Sequence, residues 1–171
     1  MQQQTRRIVV IRHATAEQLA ASDIERELVE PGRQDALEAG AWLASAGVRP
    51  EHALVSAATR ARQTWELVAS AAGWVLEACV DQGLYNAGPE TALDLMRLTP
   101  EAAGTLVVVG HNPTIAYLAN LLDDGEGDQD AANRMAMGYP AGAVTLFEYD
   151  GAWADLDTGT ARLTAFRAGG R

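Results

Sequence analysis

Four side chains in this chain are of the right types to hold and attack a phosphoryl group: Arg12, His13, Arg60 and His111. The planar guanidinium of arginine matches pairs of phosphate oxygens. Imidazole is largely neutral near pH 7 and can act as a nucleophile. Arg12 and His13 are adjacent and are followed by the small residues Ala14 and Thr15. Arg60 lies in Ser56-Ala57-Ala58-Thr59-Arg60-Ala61-Arg62-Gln63-Thr64, and His111 in Gly110-His111-Asn112-Pro113. Convergence of these groups would make an anion trap suited to phosphoryl transfer through a histidine nucleophile. Two arginines would supply the charge neutralisation that a cation otherwise provides. The sequence has no cluster with metal-ligand spacing, and neither metal nor cofactor is expected.

The elements around these residues must bring them together. Arg7 to Ile11 is a short, β-branched apolar run that reads as a buried strand. In an open α/β sheet a strand delivers whatever follows its carboxyl end to the ligand crevice. Ala53-Leu54-Val55 reads as a second strand and Thr105 to Val109 as a central parallel one. Arg12-His13, Ser56 to Arg60 and Gly110-His111 therefore all follow strand ends. Ser56 and Thr59 are suitable N-caps for a helix running to about Ala72 and closed by Gly73. Arg60 then falls in its first turn, where the helix dipole disfavours a cation unless an anion lies between. Asn112 as N-cap and Pro113 as first residue open a helix over Thr114 to Leu122.

The other segments frame this core. Ala16 to Glu30 reads as a polar, acidic loop with one helical turn, and Asp23 and Arg26, three residues apart, could form a local ion pair or rim the site. Pro31-Gly32 punctuates the chain before a helix from Arg33 to Ala46, with Ala36, Leu37, Gly40, Ala41, Leu43 and Ala44 on its apolar face. Trp74 to Val80 reads as a peripheral strand, Leu84 to Ala87 as a loop and Pro89 to Leu98 as a helix. Asp123 to Asp130 reads as a mobile acidic loop and Met135 to Gly142 as a connector. Ala143 to Tyr149 reads as a strand, with Asp150-Gly151 as a hairpin turn and Ala152 to Asp157 pairing back. Leu163 to Arg167 is a further short strand or tail.

Composition narrows the function classes. The 171 residues carry a formal net charge of −10, which argues against a nucleic-acid partner. No apolar run reaches membrane-spanning length, and Met1 to Arg7 lacks the apolar core of a secretory signal. The lone Cys79 excludes an internal disulfide framework and fits a reducing cytoplasm; its apolar setting suggests a buried, inert thiol. One domain over residues 1–171 is expected, with the oligomeric state open.

Together these motifs resemble the histidine phosphatase superfamily. Arg12-His13-Ala14 is similar to its signature, which more often reads Arg-His-Gly. Ser56…Arg60-Ala61…Gln63-Thr64, Gly110-His111-Asn112-Pro113 and the spacing of Asp23, Arg26, Leu28 and Gly32 resemble the small SixA-type phosphohistidine phosphatases. The short chain, without the long insertions of phosphoglycerate mutases, resembles them too. The resemblance implies an α/β fold: a three-layer α/β/α sandwich, phosphoglycerate-mutase-like, with a mostly parallel sheet and an antiparallel C-terminal strand or hairpin. It implies that His13 attacks phosphorus, that the resulting phosphohistidine is hydrolysed, and that Arg12, Arg60 and His111 hold the phosphoryl oxygens, with Arg26 as a further substrate-binding residue. Relatives acting on alcohol phosphates usually supply a carboxylic acid to the leaving oxygen. Here Asn86 stands where that acid is sought, which leaves Asp23, Glu17 or Glu90 as possible proton donors. An imidazole leaving group, with a pKa of about 6.5, needs far less help than an alcohol. The expected substrate is therefore phosphohistidine on a protein. A small phosphorylated molecule stays open as substrate, as does a non-catalytic phospho-ligand-binding role.

Overall fold

The computed structural model describes residues 4–169. β1 (Thr5–Arg12), β2 (His52–Ser56), β3 (Cys79–Asp81), β4 (Thr105–Gly110), β5 (Val144–Asp150) and β6 (Ala161–Arg167) form a sheet in the order β3-β2-β4-β1-β5-β6. β3, β2, β4 and β1 are parallel; at the far side β5 pairs antiparallel with β1, and β6 antiparallel with β5. The register aligns the ends of the two central strands, Arg12 opposite Gly110, so Arg12-His13 and Gly110-His111 leave the sheet side by side.

Alternation along the strands splits the core into two layers. Val9, Ile11, Val107 and Val109 face α1 (Glu30–Ser45) and α2 (Thr59–Ala72), burying Leu43, Trp65 and Val68. Ile8, Val10, Leu106 and Val108 share the other layer with Leu93, Ile115, Leu118 and Trp153. That layer contains α4 (Pro89–Arg97), α5 (Thr114–Leu122) and α6 (Gln129–Ala136). The result is the α/β/α sandwich with a mostly parallel sheet and antiparallel C-terminal strands. No helix among the described residues is long and apolar enough to cross a membrane.

Several local readings change. Pro31 and Gly32 lie inside the first turn of α1, and its buried face carries Asp35 and Ala39, with Ala41 and Ala44 outside. The reason is close packing: a Cβ on Gly40 would meet the Val68 carbonyl oxygen of α2 at 2.3 Å. Only Cys79–Asp81 of the third strand forms, at the sheet edge, and it leaves Cys79 exposed rather than buried. Leu84 and Tyr85 belong to a short helix, α3 (Gln82–Tyr85), where a loop was expected. α6, capped by the Asp128 side chain on Ala131 N at 2.8 Å, extends into the expected connector. Ala152 to Asp157 does not pair back. It contains a 3-10 turn over Trp153–Asp155, because Trp153 is wholly buried under the sheet, and β6 takes the place beside β5.

Candidate active site

The site grows from the turn after β1. His13 N donates to the Gly110 carbonyl at 3.0 Å, and Ala14 N donates to Thr64 Oγ1 at 3.0 Å. Thr64 Oγ1 in turn donates to the Arg60 carbonyl at 2.7 Å, so the turn is tied to α2 directly beneath Arg60. Ala14 is fully buried and has no positive φ, so its methyl group enters the α1/α2 core layer without straining the turn. Gly32 of α1 lies against the same turn: an added Cβ would be 2.1 Å from the Thr15 carbonyl oxygen.

Arg12, His13, Arg60 and His111 are brought to this one edge. The His13 and His111 rings have centroids 5.1 Å apart. His13 Nδ1 is 2.7 Å from the Ala14 carbonyl oxygen. A carbonyl can only accept, so Nδ1 carries the hydrogen and Nε2 keeps its lone pair. Burial pushes the His13 pKa down to about 3, against the opposing Ala14 hydrogen bond and with help from the charges of His111, Arg60 and Arg12. His111 is pushed down to about 4, first by burial and then by the Arg60 charge. Both rings are therefore neutral at physiological pH.

Arg12 Nη1 donates to the Tyr139 carbonyl at 3.1 Å, and Asn112 Nδ2 donates to the same oxygen at 2.9 Å. Burial pulls the Arg12 pKa down from its ordinary value. Arg60 is 6 % exposed, and its Nη1 and Nη2 donate to the carbonyl and the Oδ2 of Asp23, at 2.8 and 3.2 Å. Arg12 Nε, Arg60 Nε and His111 Nδ1 remain buried without a protein partner. Nitrogen atoms left this way are costly unless an anion or water satisfies them. An oxyanion among them would be met by donors from three strand ends.

The segment from Ala16 to Leu28 crosses the site, its ends joined by a β-bridge between those two residues. Asp23 lies on it, in a 3-10 turn over Asp23–Glu25. Asp23 gives Arg60 a carboxylate partner, so that beside its ion pair with Arg26 it also rims the site. The Tyr85 hydroxyl also donates to Asp23 Oδ2, and Arg26 Nη1 donates to Oδ1 at 2.9 Å. These hydrogen bonds, that of Tyr85 first, hold the Asp23 pKa well below the usual carboxylate range. The Asp23 carboxyl is thereby kept ionised, which runs against the proton-donor role expected for it. Arg26 stands behind Asp23, with Nε donating to the Glu17 carbonyl at 2.5 Å. Glu17 and Glu90 are exposed, and Asn86 is exposed at the end of α3.

Two residues joined to the site escaped the sequence reading. Tyr85 packs edge-on against His111, with centroids 5.5 Å apart, and the Arg60 guanidinium sits 5.9 Å from its ring centroid. Its position just beyond the carboxyl end of parallel strand β3 was the available signal. Ser56, expected as an N-cap, is completely buried with Oγ 2.7 Å from His111 Nε2; the N-cap of α2 is Ala58.

The family model of the histidine phosphatase superfamily, branch 1, matches residues 8–87. The chain is 32 % identical over 127 residues to phosphohistidine phosphatase SixA of Escherichia coli, covering 70 % of this chain and 75 % of that one. It belongs to the SixA-type branch of the histidine phosphatase superfamily. An uncharacterised protein of Mycobacterium tuberculosis is 34 % identical over 146 residues, 85 % of this chain and 90 % of that one. A SixA structure from Nakamurella multipartitia superposes with a TM-score of 0.84 at 29 % identity, covering 98 % of both chains. This SixA-type protein is a phosphatase, a hydrolase acting on phosphorylated substrates.

Proposed function

We propose that this phosphatase works through a covalent phosphohistidine on His13 and that its substrate is phosphohistidine on a protein. The observation that carries the reading is the state of His13: its Nδ1–H is held by the Ala14 carbonyl at 2.7 Å, which leaves the Nε2 lone pair of a neutral ring available beside Arg12, Arg60 and His111. That lone pair forms the new N–P bond as the P–N bond to the substrate ring breaks; with that ring already protonated at its other nitrogen, it leaves as neutral imidazole and needs no proton from the enzyme. Water then attacks the phosphoryl group on His13 and releases inorganic phosphate, restoring the ring. Arg12, Arg60 and His111 stabilise the phosphoryl oxygens through the unpartnered Nε, Nε and Nδ1 groups.

The protonation state around the site favours an imidazole leaving group. The carboxyl group hydrogen-bonded to a site arginine is Asp23, which Tyr85, Arg26 and Arg60 keep ionised. An alkoxide leaving group needs a strong proton donor; an imidazole with a pKa of about 6.5 does not.

The test is acid-quench trapping with a phosphohistidine-bearing protein as phosphoryl donor, together with His13→Asn. Phosphate on His13 in the wild type, and loss of at least about 10³-fold of turnover in the variant, are the expected results. Unchanged turnover in His13→Asn removes the nucleophile. A glycerate or sugar phosphate turned over much faster than the phosphoprotein removes the substrate assignment.

A further inference from the structure

The two histidines are fixed by different partners, His13 by the Ala14 carbonyl and His111 by Ser56. This residue ends β2, has no exposed surface, and places Oγ 2.7 Å from His111 Nε2. Ser56 Oγ also accepts from Ala58 N at 3.3 Å. The hydroxyl is thus used as an acceptor at the mouth of α2, and its hydrogen still needs an acceptor. Among the described residues the group in reach is His111 Nε2. If Nε2 carried the hydrogen instead, the serine hydrogen would be buried without an acceptor, an arrangement folded proteins avoid. The hydrogen-bond inventory therefore assigns the bond as Ser56 Oγ–H to His111 Nε2.

A neutral imidazole that accepts at one nitrogen carries its hydrogen on the other. His111 Nδ1 is then an N–H donor, and it is one of the buried atoms without a partner. The Tyr85 ring, edge-on at 80° to His111, helps hold this orientation. His13 has the same tautomer for a different reason, the Ala14 carbonyl, but there it is the bare Nε2 that remains available. One ring is set as the nucleophile and its neighbour as a hydrogen-bond donor.

We propose that Ser56 is a positioning residue that locks His111 in the Nδ1–H tautomer, so that His111 donates to a phosphoryl oxygen as charge develops on it. This rests on the phosphoryl-stabilising role given to His111 above. Without the serine hydroxyl, His111 Nε2 has no hydrogen to accept, and the ring distributes its hydrogen between both nitrogens. The fraction with a bare Nδ1 turns a lone pair toward the oxygen it should stabilise.

The tautomer is read directly from ring ¹⁵N chemical shifts of labelled protein without ligand. The expected result is a protonated Nδ1 and an unprotonated Nε2 on His111 in the wild type, and averaged shifts in Ser56→Ala. With a phosphoryl substrate, Ser56→Ala should lower kcat by about 10- to 100-fold, less than deleting a transition-state donor outright, while KM changes by less than about threefold. Ser56→Thr, which keeps the hydroxyl, should recover most of the rate and the wild-type shifts. An Nε2–H tautomer in the wild type overturns the assignment without needing any variant to fold, and so does Ser56→Ala with unchanged kcat. The shift measurement does not depend on turnover. Failure of the His13 nucleophile is seen in trapping, whereas failure of the Ser56 role is seen in the His111 spectrum.

Discussion

Arg60 and Asp23 form an uneven pair: the guanidinium side chain is 7 % exposed and the carboxylate 53 %, with Nη2 and Oδ2 3.2 Å apart. The buried member belongs to α2 and the exposed one to the crossing segment, so the contact fastens that segment over the site. It occupies the Nη1 and Nη2 end of the guanidinium and leaves Nε without a partner. Because Asp23 is exposed, solvent screening limits the pair to about 1 kcal/mol. Asp23→Asn should therefore raise KM for a phosphorylated substrate by up to about fivefold through poorer Arg60 alignment, with the fold intact. Steady-state kinetics and a thermal melt check this. A loss of several orders of magnitude in kcat would instead assign Asp23 to the chemistry.

On the mechanism proposed above, the low pKa values of His13 and His111 set the acid limb of activity. Both rings stay neutral until pH falls toward about 4 and about 3. Corrected for substrate ionisation, kcat/KM should show no loss between pH 7 and pH 5 from these two groups; a limb centred near the ordinary histidine value of about 6.5 contradicts this. Stability carries the complementary sign. Below about 6.5 the unfolded chain binds protons that the folded rings refuse, so stability falls as pH is lowered toward their folded values. His13→Asn should flatten part of that decline, seen as a smaller drop in Tm between pH 7.5 and pH 5.

Gly32 is required where α1 passes the turn that carries His13. A Cβ there would come within 2.1 Å of the Thr15 carbonyl oxygen, a backbone atom that cannot swing aside. Gly32→Ala should destabilise the protein by about 1–3 kcal/mol and also reduce kcat, since Thr15 lies two residues beyond His13. Urea unfolding and a rate measurement on the same preparation report both effects.

Tyr139 separates stability from catalysis. Its hydroxyl donates to the Val10 carbonyl at 2.8 Å and lies 2.7 Å from Thr145 Oγ1, whereas its own carbonyl receives Arg12 and Asn112. Tyr139→Phe removes only the hydroxyl. The expected loss is about 1–2 kcal/mol of stability, from a buried strand carbonyl deprived of a donor. The backbone support of Arg12 survives, and kcat should stay within about threefold of wild type.

Much of this was legible along the chain. The strand ends carrying Arg12-His13 and Gly110-His111, the first-turn position of Arg60 and helix α5 over Thr114–Leu122 all follow from local patterning. β-branched runs and helix period act between near neighbours, so the amino-acid order reports them. The N-caps differ, since α2 opens after Ala58 and α5 after Pro113, neither of which supplies a side-chain cap, rather than at Ser56 or Thr59 and at Asn112. The end of the chain was harder. Ala152 to Asp157 alternates like a strand, yet burial of Trp153 governs it, and the pairing with β5 passes to Ala161–Arg167.

The sequence by itself determined which chemical groups stand at the strand ends and that they could gather around a phosphoryl group. Tertiary structure decided how each is held. Asp23 meets Arg60 across 37 residues and Tyr85 across 62, and Ser56 meets His111 across 55. Such contacts depend on distances near 3 Å between elements far apart in the chain, and on which nitrogen of a ring keeps its hydrogen. Residue identity offers both possibilities; only packing of the surrounding layers selects one, because a buried polar group must find a partner where the fold has placed it.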